Sequence, residues 1–238
     1  MPIHSISLEN CAYGYGGKEI VSTGALEIQN GITCIIGPNG SGKTTFLRGI
    51  AGVLEPMRGK AMIDGVDLFG HRSSSVRSHI GFVPENSFPY PDMTVRQYLS
   101  YWGSLYNASQ KNVEEALQRL AIVNLAERSG NALSLGQKRR VMIARLLLIE
   151  PLVMILDEPT ANLDPEISLQ VSRLISESGK EIPVVYSTHH LLEVEHLFDK
   201  AYFVIKGKLV GPYVREDMKT DLYSTYMELM PEAGEVPQ

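Results

Sequence analysis

Gly37-Pro-Asn-Gly-Ser-Gly-Lys-Thr-Thr45 sits between an apolar run, Ile32-Thr-Cys-Ile-Ile36, and a stretch with Phe46, Leu47, Ile50 and Ala51 at helical spacing. The order is strand, glycine-rich loop, helix, and Gly37, Gly42, Lys43 and Thr44 match the phosphate-loop pattern G-x-x-x-x-G-K-[ST]. The glycines let the backbone curl so that the N–H groups of Gly37, Pro38-flanked Asn39, Gly40, Ser41 and Gly42 can line an anion nest. The helix that follows, starting near Lys43 with Thr44 and Thr45, adds its unpaired N–H donors and the positive end of its dipole. Lys43 would reach the β- and γ-phosphates of a nucleotide, and the Thr44 hydroxyl would ligate Mg²⁺. An ordinary Gly-rich turn is the plain alternative.

The 238 residues suffice for one large α/β domain with an insertion, or for two small lobes. Hydrophobic content of 44% with 21% charged residues places the chain among ordinary globular proteins. A net charge of −5 offers no nucleic-acid surface. Cys11 and Cys34 belong to no C-x-x-C pattern and read as reduced thiols in a cytosolic protein. The start, Met1 to Asn10, has neither a basic nor an apolar leader region. The most apolar stretch, Leu146 to Leu156, is broken by Glu150-Pro151, and no segment approaches the ~20 apolar residues of a membrane span. If the protein serves a membrane, another chain does the crossing.

Ile3, Ile6 and Leu8 give a loose strand pattern, followed by a glycine-punctuated aromatic loop, Tyr13-Gly-Tyr-Gly-Gly17. Ala25–Ile28, Lys60–Asp64 and Ile80–Val83 read as further strands. From Glu85 to about residue 140 the pattern is helical. Thr94-Val-Arg-Gln97 is a capping box with Met93 and Tyr98 at staple positions, and Val95, Tyr98, Leu99, Trp102 and Leu105 form one stripe. Ser109 caps a second helix carrying Val113, Ala116, Leu117 and Leu120, and Ser129-Gly-Asn131 is a loop. A helix over 136–149 follows. Leu152–Leu156 and Pro183–Ser187 are apolar at nearly every position, as in strands buried on both faces of a parallel sheet. Asp164-Pro165 opens a helix; residues 201–210 form a hairpin; Val214–Met230 is a terminal helix and Pro231 onward a frayed tail.

Leu152–Leu156 delivers Asp157-Glu158 to the strand end where open α/β sheets bind ligands. This is a Walker-B arrangement: Asp157 would hold Mg²⁺ through water, and Glu158 would polarise the attacking water. His189 follows the next buried strand, where a γ-phosphate contact is expected. Leu133-Ser-Leu-Gly-Gln137 contains a second capping box, Ser134 with Gln137, and so a second helix end with free N–H groups.

With these motifs in this order, the whole chain resembles an ATP-binding cassette (ABC) transporter ATPase subunit, and Leu133–Gln137 resembles that family's signature. The resemblance implies an α/β P-loop NTPase core, mostly parallel with an N-terminal antiparallel part, and an inserted helical subdomain. Its division would be a core lobe at about 1–84 and 141–212, a helical subdomain at about 85–140, and a C-terminal helix and tail at about 213–238. It implies MgATP hydrolysis by Glu158, His189 and Lys43, and Tyr15, twenty-two residues before Gly37, as the aromatic on adenine, with Tyr13 as the less well-spaced candidate. Ala161-Asn-Leu-Asp164 would be the D-loop that crosses to the other subunit. Ser134 and Gly136 would contact nucleotide held by the opposite monomer of a head-to-tail homodimer or heterodimer, with Gln137 and Asp164 counted in the same nucleotide-binding set. The implied partners are separate transmembrane permease subunits, which would hold the chain on the cytoplasmic face of the membrane. Phe88–Met93 and the helix through Trp102 would form the groove for the permease, or else be the helical lobe's own core.

Two residues depart from the family pattern. Leu135 replaces a glycine of the signature and would crowd the backbone near the phosphate. Glu85, in Gly81-Phe-Val-Pro-Glu85, replaces the usual Q-loop glutamine, as in some exporter-like members, and puts a third carboxylate near Mg²⁺ and the triphosphate. A soluble single-cassette ATPase of an assembly task, and a nucleotide sensor with little turnover, are the rival functions.

Overall fold

The computed structural model describes residues 4–230; Ile3 and the tail from Pro231 lie outside them. The strands are β1 (Ser5–Tyr15), β2 (Lys18–Ser22), β3 (Leu26–Gln29), β4 (Gly31–Ile36), β5 (Arg58–Ile63), β6 (Val66–Asp67), β7 (Ile80–Val83), β8 (Val153–Asp157), β9 (Pro183–Thr188), β10 (Lys200–Ile205) and β11 (Lys208–Val214). The helices are α1 (Lys43–Ile50), α2 (Ser73–Arg77), α3 (Val95–Leu105), α4 (Gln110–Arg119), α5 (Leu135–Leu146), α6 (Pro165–Gly179), α7 (Leu191–Val194) and α8 (Leu222–Leu229).

One sheet runs β6-β5-β1-β2-β11-β10-β4-β9-β8-β7, with β3 paired to β1 off this path. From β10 through β4, β9 and β8 to β7 every pairing is parallel. The N-terminal strands pair with β1 antiparallel. Every residue of β8 and β9 is buried, and the period of two sorts their side chains to opposite faces. Val153, Ile155, Val185 and Ile35 join Phe46, Leu47 and Ile50 of α1 in one core. Met154, Leu156, Val184 and Tyr186 join residues of α3, α5 and α6 in the other. This is the mixed α/β P-loop architecture that the sequence implies. The register aligns the strand ends that carry the site, because Ile36 pairs with Thr188 and Asp157 with Ser187.

Both expected capping boxes form, Thr94 with Gln97 on α3 and Ser134 with Gln137 on α5. Ser109 caps α4 with Asn112 in a third. Helix α5 packs on α3 and α4, and its last turn meets the sheet: a Cβ on Gly81 of β7 would lie 3.2 Å from Leu146 Cδ2. Cys11 and Cys34 are both wholly buried, and Cys11 Sγ donates to the Lys60 carbonyl. Among the described residues no helix is long and apolar enough to cross a membrane.

Several expectations need correction. Tyr13-Gly14-Tyr15 is not loop but the end of β1; only Gly16 and Gly17 turn, at φ 58° and 79°, and β2 returns beside β1. Two consecutive left-handed residues give the tight hairpin turn that two glycines allow. The helix expected over 214–230 is replaced by the end of β11, a 3₁₀ turn at Arg215–Asp217, and α8 only from Leu222. The Asp221 side chain accepts from the Ser224 N–H at 2.6 Å and fixes that later start. The expected helix over 136–149 ends at Leu146, after which the N–H groups of Leu147, Leu148 and Ile149 reach back only three residues. Leu105, counted in the α3 stripe, is exposed. Helix α6 begins at Pro165 as read, but the Asp164 side chain makes no cap bond.

Candidate functional site

Gly37 leaves β4 where a Cβ would stand 2.9 Å from Ser41 Oγ and 3.0 Å from the Val204 carbonyl, so the loop closes only without a side chain there. Gly42, at φ 110°, is the N-cap of α1 and gives it no side-chain cap, which leaves the first N–H groups of the helix turned to the loop. Lys43 is 6% exposed, and its Nζ donates to the carbonyls of Gly37 (2.7 Å) and Pro38 (3.2 Å). The same nitrogen lies 3.7 Å from Glu158 Oε1.

The end of β8 faces the loop directly. Thr44 Oγ1 donates to Asp157 Oδ2 at 2.7 Å, and the other Asp157 oxygen accepts from the Ser187 hydroxyl. Glu158 has φ 50°, a left-handed backbone uncommon for a non-glycine residue. Its N–H holds that turn by donating to the Ser187 carbonyl (3.1 Å) and hydroxyl (3.3 Å). Glu158 Oε1 lies 2.8 Å from His189 Nδ1. A cleft of about 390 Å³ spans Asn39 to Thr45 of the loop and takes in Glu85, Asp157 and Glu158. The sequence-predicted Lys43, Thr44, Glu85, Asp157, Glu158 and His189 thus come together. The donor set also fits Mg²⁺: one hydroxyl and one carboxylate 2.7 Å apart are hard oxygen ligands. Among the described residues no group of three or more His, Cys, Asp or Glu forms a closed metal cage.

Ser134 stands apart from this cleft at the exposed start of α5. Its hydroxyl accepts from the Gln137 N–H, and Gln137 Oε1 accepts from the Ser134 N–H. Gln137 is therefore occupied within its own helix. The N–H groups of Leu135 and Gly136 have no partner among the described residues. Leu135 is 55% exposed, so its side chain lies on the outer surface of this helix start. Gly136 has a reason within the chain: a Cβ there would meet the Asn162 carbonyl at 2.7 Å. The signature turn and the Ala161–Asp164 loop are in contact through that position.

The sequence profile described as "ABC transporter" matches residues 25–161, more than half of the chain. The chain belongs to the ABC transporter family. This ABC protein is 38% identical over 197 residues to the energy-coupling factor transporter ATP-binding protein EcfA of Methanoculleus marisnigri, covering 78% of this chain and 70% of that protein. The solved structure of cbiO1 from Clostridium perfringens, part of the ABC transporter complex cbiONQ, superposes with a TM-score of 0.76. It has 28% identity and covers 95% of this chain and 93% of cbiO1. An ATP-binding subunit of an ABC transporter shares the fold at a TM-score of 0.84 and 24% identity, over 94% and 99% of the two chains. The enzymatic class of this ABC protein is ATPase, and ATP is its nucleotide.

Of the two tyrosines weighed for adenine, Tyr13 is fully buried, its ring so close to α1 that a Cβ on Gly49 would sit 2.3 Å from it. Tyr15 is 46% exposed and its hydroxyl accepts from Arg48 Nη1 at 3.1 Å. Sequence reasoning missed three partners at the ABC site. Ser187 braces Asp157 and Glu158. Thr160 Oγ1 lies 2.6 Å from both Tyr186 OH and Glu193 Oε2, tying the segment after Glu158 to α7. Arg139 is buried behind β8, and burial lowers its pKa. A signal for Arg139 existed: with Met142, Ile143 and Leu146 it occupies the i, i+3, i+4, i+7 stripe of α5, where a cation is out of place.

Proposed function

We propose that this chain is the ATP-hydrolysing subunit of a transporter whose membrane crossing is made by separate permease subunits, and that two copies or two related chains close head to tail around ATP. The observation that carries the reading is the open start of α5. Among the described residues the Leu135 and Gly136 N–H groups beside the Ser134 hydroxyl have no partner, at a helix start where Ser134 and Leu135 are exposed. A helix N-terminus of this kind favours an anion, and the chain's own phosphate loop is a separate site. A nucleotide held by a second subunit fits it.

In this reading the N–H groups of residues 37–42 and Lys43 take the β- and γ-phosphates, and Tyr15 stacks on the adenine. Mg²⁺, when bound, neutralises developing phosphate charge, with Thr44, Asp157 and Glu85 as its candidate holders. Glu158 accepts a proton from the attacking water. One ring nitrogen of His189 is engaged by Glu158, so the other is the one available to the γ-phosphate. Ser134, Gly136 and Asp164 meet the opposite subunit, and Gln137 keeps Ser134 in place. The helical segment of about 85–140 forms a lobe beside the core of about 1–84 and 141–212.

The permease would dock on the aromatic face beside Glu85. Tyr98 is buried and Trp102 and Met93 are half-buried in the core, whereas Phe88, Tyr90 and Tyr101 are each more than 40% exposed. The face would hold the chain against the cytoplasmic side of the membrane. The test is Glu158→Gln with saturating MgATP, followed by light scattering. A dimer that dissolves on nucleotide removal is expected; a monomer with nucleotide demonstrably bound overturns the pairing. Co-expression with a candidate permease tests the docking: ATPase stimulation is expected, and loss of it on Tyr90→Ala or Tyr101→Ala places the contact on this face.

A further inference from the structure

The glutamate that replaces the usual Q-loop glutamine adds a third carboxylate to the cleft, beside Asp157 and Glu158. Directly behind these three groups lies Arg139, 6% exposed. Its Nη1 donates to the Pro84 carbonyl at 3.1 Å and to the Asp157 carbonyl at 3.4 Å. Those are the residues immediately before Glu85 and before Glu158. A single guanidinium thus ties down both turns that carry a cleft glutamate. Carbonyl dipoles alone do not offset the cost of burying a full positive charge. Burial lowers the Arg139 pKa, and the strongest opposing influence is Glu85, followed by Asp157 and Glu158. With Arg139 the cleft sets three carboxylates against two cations; without it, Lys43 faces all three alone.

We propose that Arg139 is a positioning residue for hydrolysis, which holds the turns bearing Glu85 and Glu158 and supplies the charge that lets Glu85 stand beside a triphosphate. The inference rests on the hydrolytic role proposed above for Glu158. Because Arg139 sits on α5, five residues after Ser134, it also links the open helix start to both glutamates through one side chain.

The experiment is a double-mutant cycle with Arg139→Met, Glu85→Gln and the pair. Binding of the slowly hydrolysed analogue MgATPγS is followed by calorimetry, and turnover by phosphate release with MgATP. Arg139→Met is expected to weaken binding about tenfold and to lower kcat by about tenfold or more, within the range of couplings inside one hydrogen-bonded network. Adding Glu85→Gln restores binding to within about threefold of the parent, while kcat stays low because the carbonyl bonds remain lost. A purely structural arginine gives the same binding loss with either residue at 85. Additive losses, or an Arg139→Met chain that binds and turns over like the parent, overturn the proposal. If Arg139→Met does not fold, Arg139→Lys carries the test: binding is kept, kcat falls, and a tenfold loss of binding in the folded lysine variant overturns it. A parent chain that binds but does not hydrolyse MgATP refutes the hydrolytic reading instead, and the binding cycle remains readable.

Discussion

Helices α3 and α5 both begin with a capping box, Thr94 with Gln97 and Ser134 with Gln137, and both boxes are complete. Beyond the box they part. In α3 the next two N–H groups, of Val95 and Arg96, are taken by the carbonyls of Arg128 (3.0 Å) and Ala126 (2.9 Å). In α5 the equivalent groups of Leu135 and Gly136 are left open at the surface. Unpaired backbone donors are tolerated where water or a ligand reaches them. The same local sequence device therefore serves a closed packing role in one helix and leaves an open end in the other, and only the surroundings distinguish them.

Lys43→Ala gives the largest effect, because it removes the nucleotide that the open helix is proposed to meet. MgATP binding in calorimetry is expected to become undetectable as the phosphates lose their point charge. Unchanged affinity would place the nucleotide elsewhere. Next comes the choice of catalytic carboxylate. Glu158→Gln is expected to cost on the order of 10²-fold or more in phosphate release, as for a positioned general base. Glu85→Gln is expected to cost less than about tenfold, since an amide oxygen can still ligate Mg²⁺ or its water. The reverse order would transfer the role of base to Glu85.

Ser134→Arg addresses the open end alone. It is expected to abolish the ATP-dependent dimer of the Glu158→Gln background in light scattering, with nucleotide affinity of the single chain kept. A dimer that survives removes α5 from the interface. The smallest effect separates the two boxes. Thr94→Ala and Ser134→Ala each lose a cap worth about 1 kcal/mol, measured by denaturant unfolding. Only Ser134→Ala is expected to weaken dimerisation as well; equal weakening by both would erase the distinction between the helices.

What could be read from the sequence was local in origin. The phosphate loop, the bare apolar strand β8 and the capping boxes each declare themselves within about ten residues, and each forms. The β1–β2 hairpin was misread because Tyr13-Gly-Tyr-Gly-Gly17 has the composition of a loop. The Gly16-Gly17 pair followed by Lys18-Glu-Ile-Val was the available hairpin signal. The expected start of α8 at Val214 is too early because Val214 pairs with Lys200 of β10, Arg215–Asp217 form a 3₁₀ turn, and the cap that opens the helix is Asp221. The site partners that went unseen, Ser187 on Asp157 and Arg139 on Pro84 and Asp157, join elements 18 to 55 residues apart. Sheet register and helix packing decide such contacts, and no short window contains them.

The two cysteines have a practical consequence. Cys11 and Cys34 are wholly buried, and burial raises the pKa of both thiols, so neither presents a thiolate to a reagent. The natural chain is a silent background for maleimide chemistry. A cysteine introduced at exposed Leu135 would be the single labelled position, and a dye there would report the proposed closure of two subunits without any native cysteine being replaced.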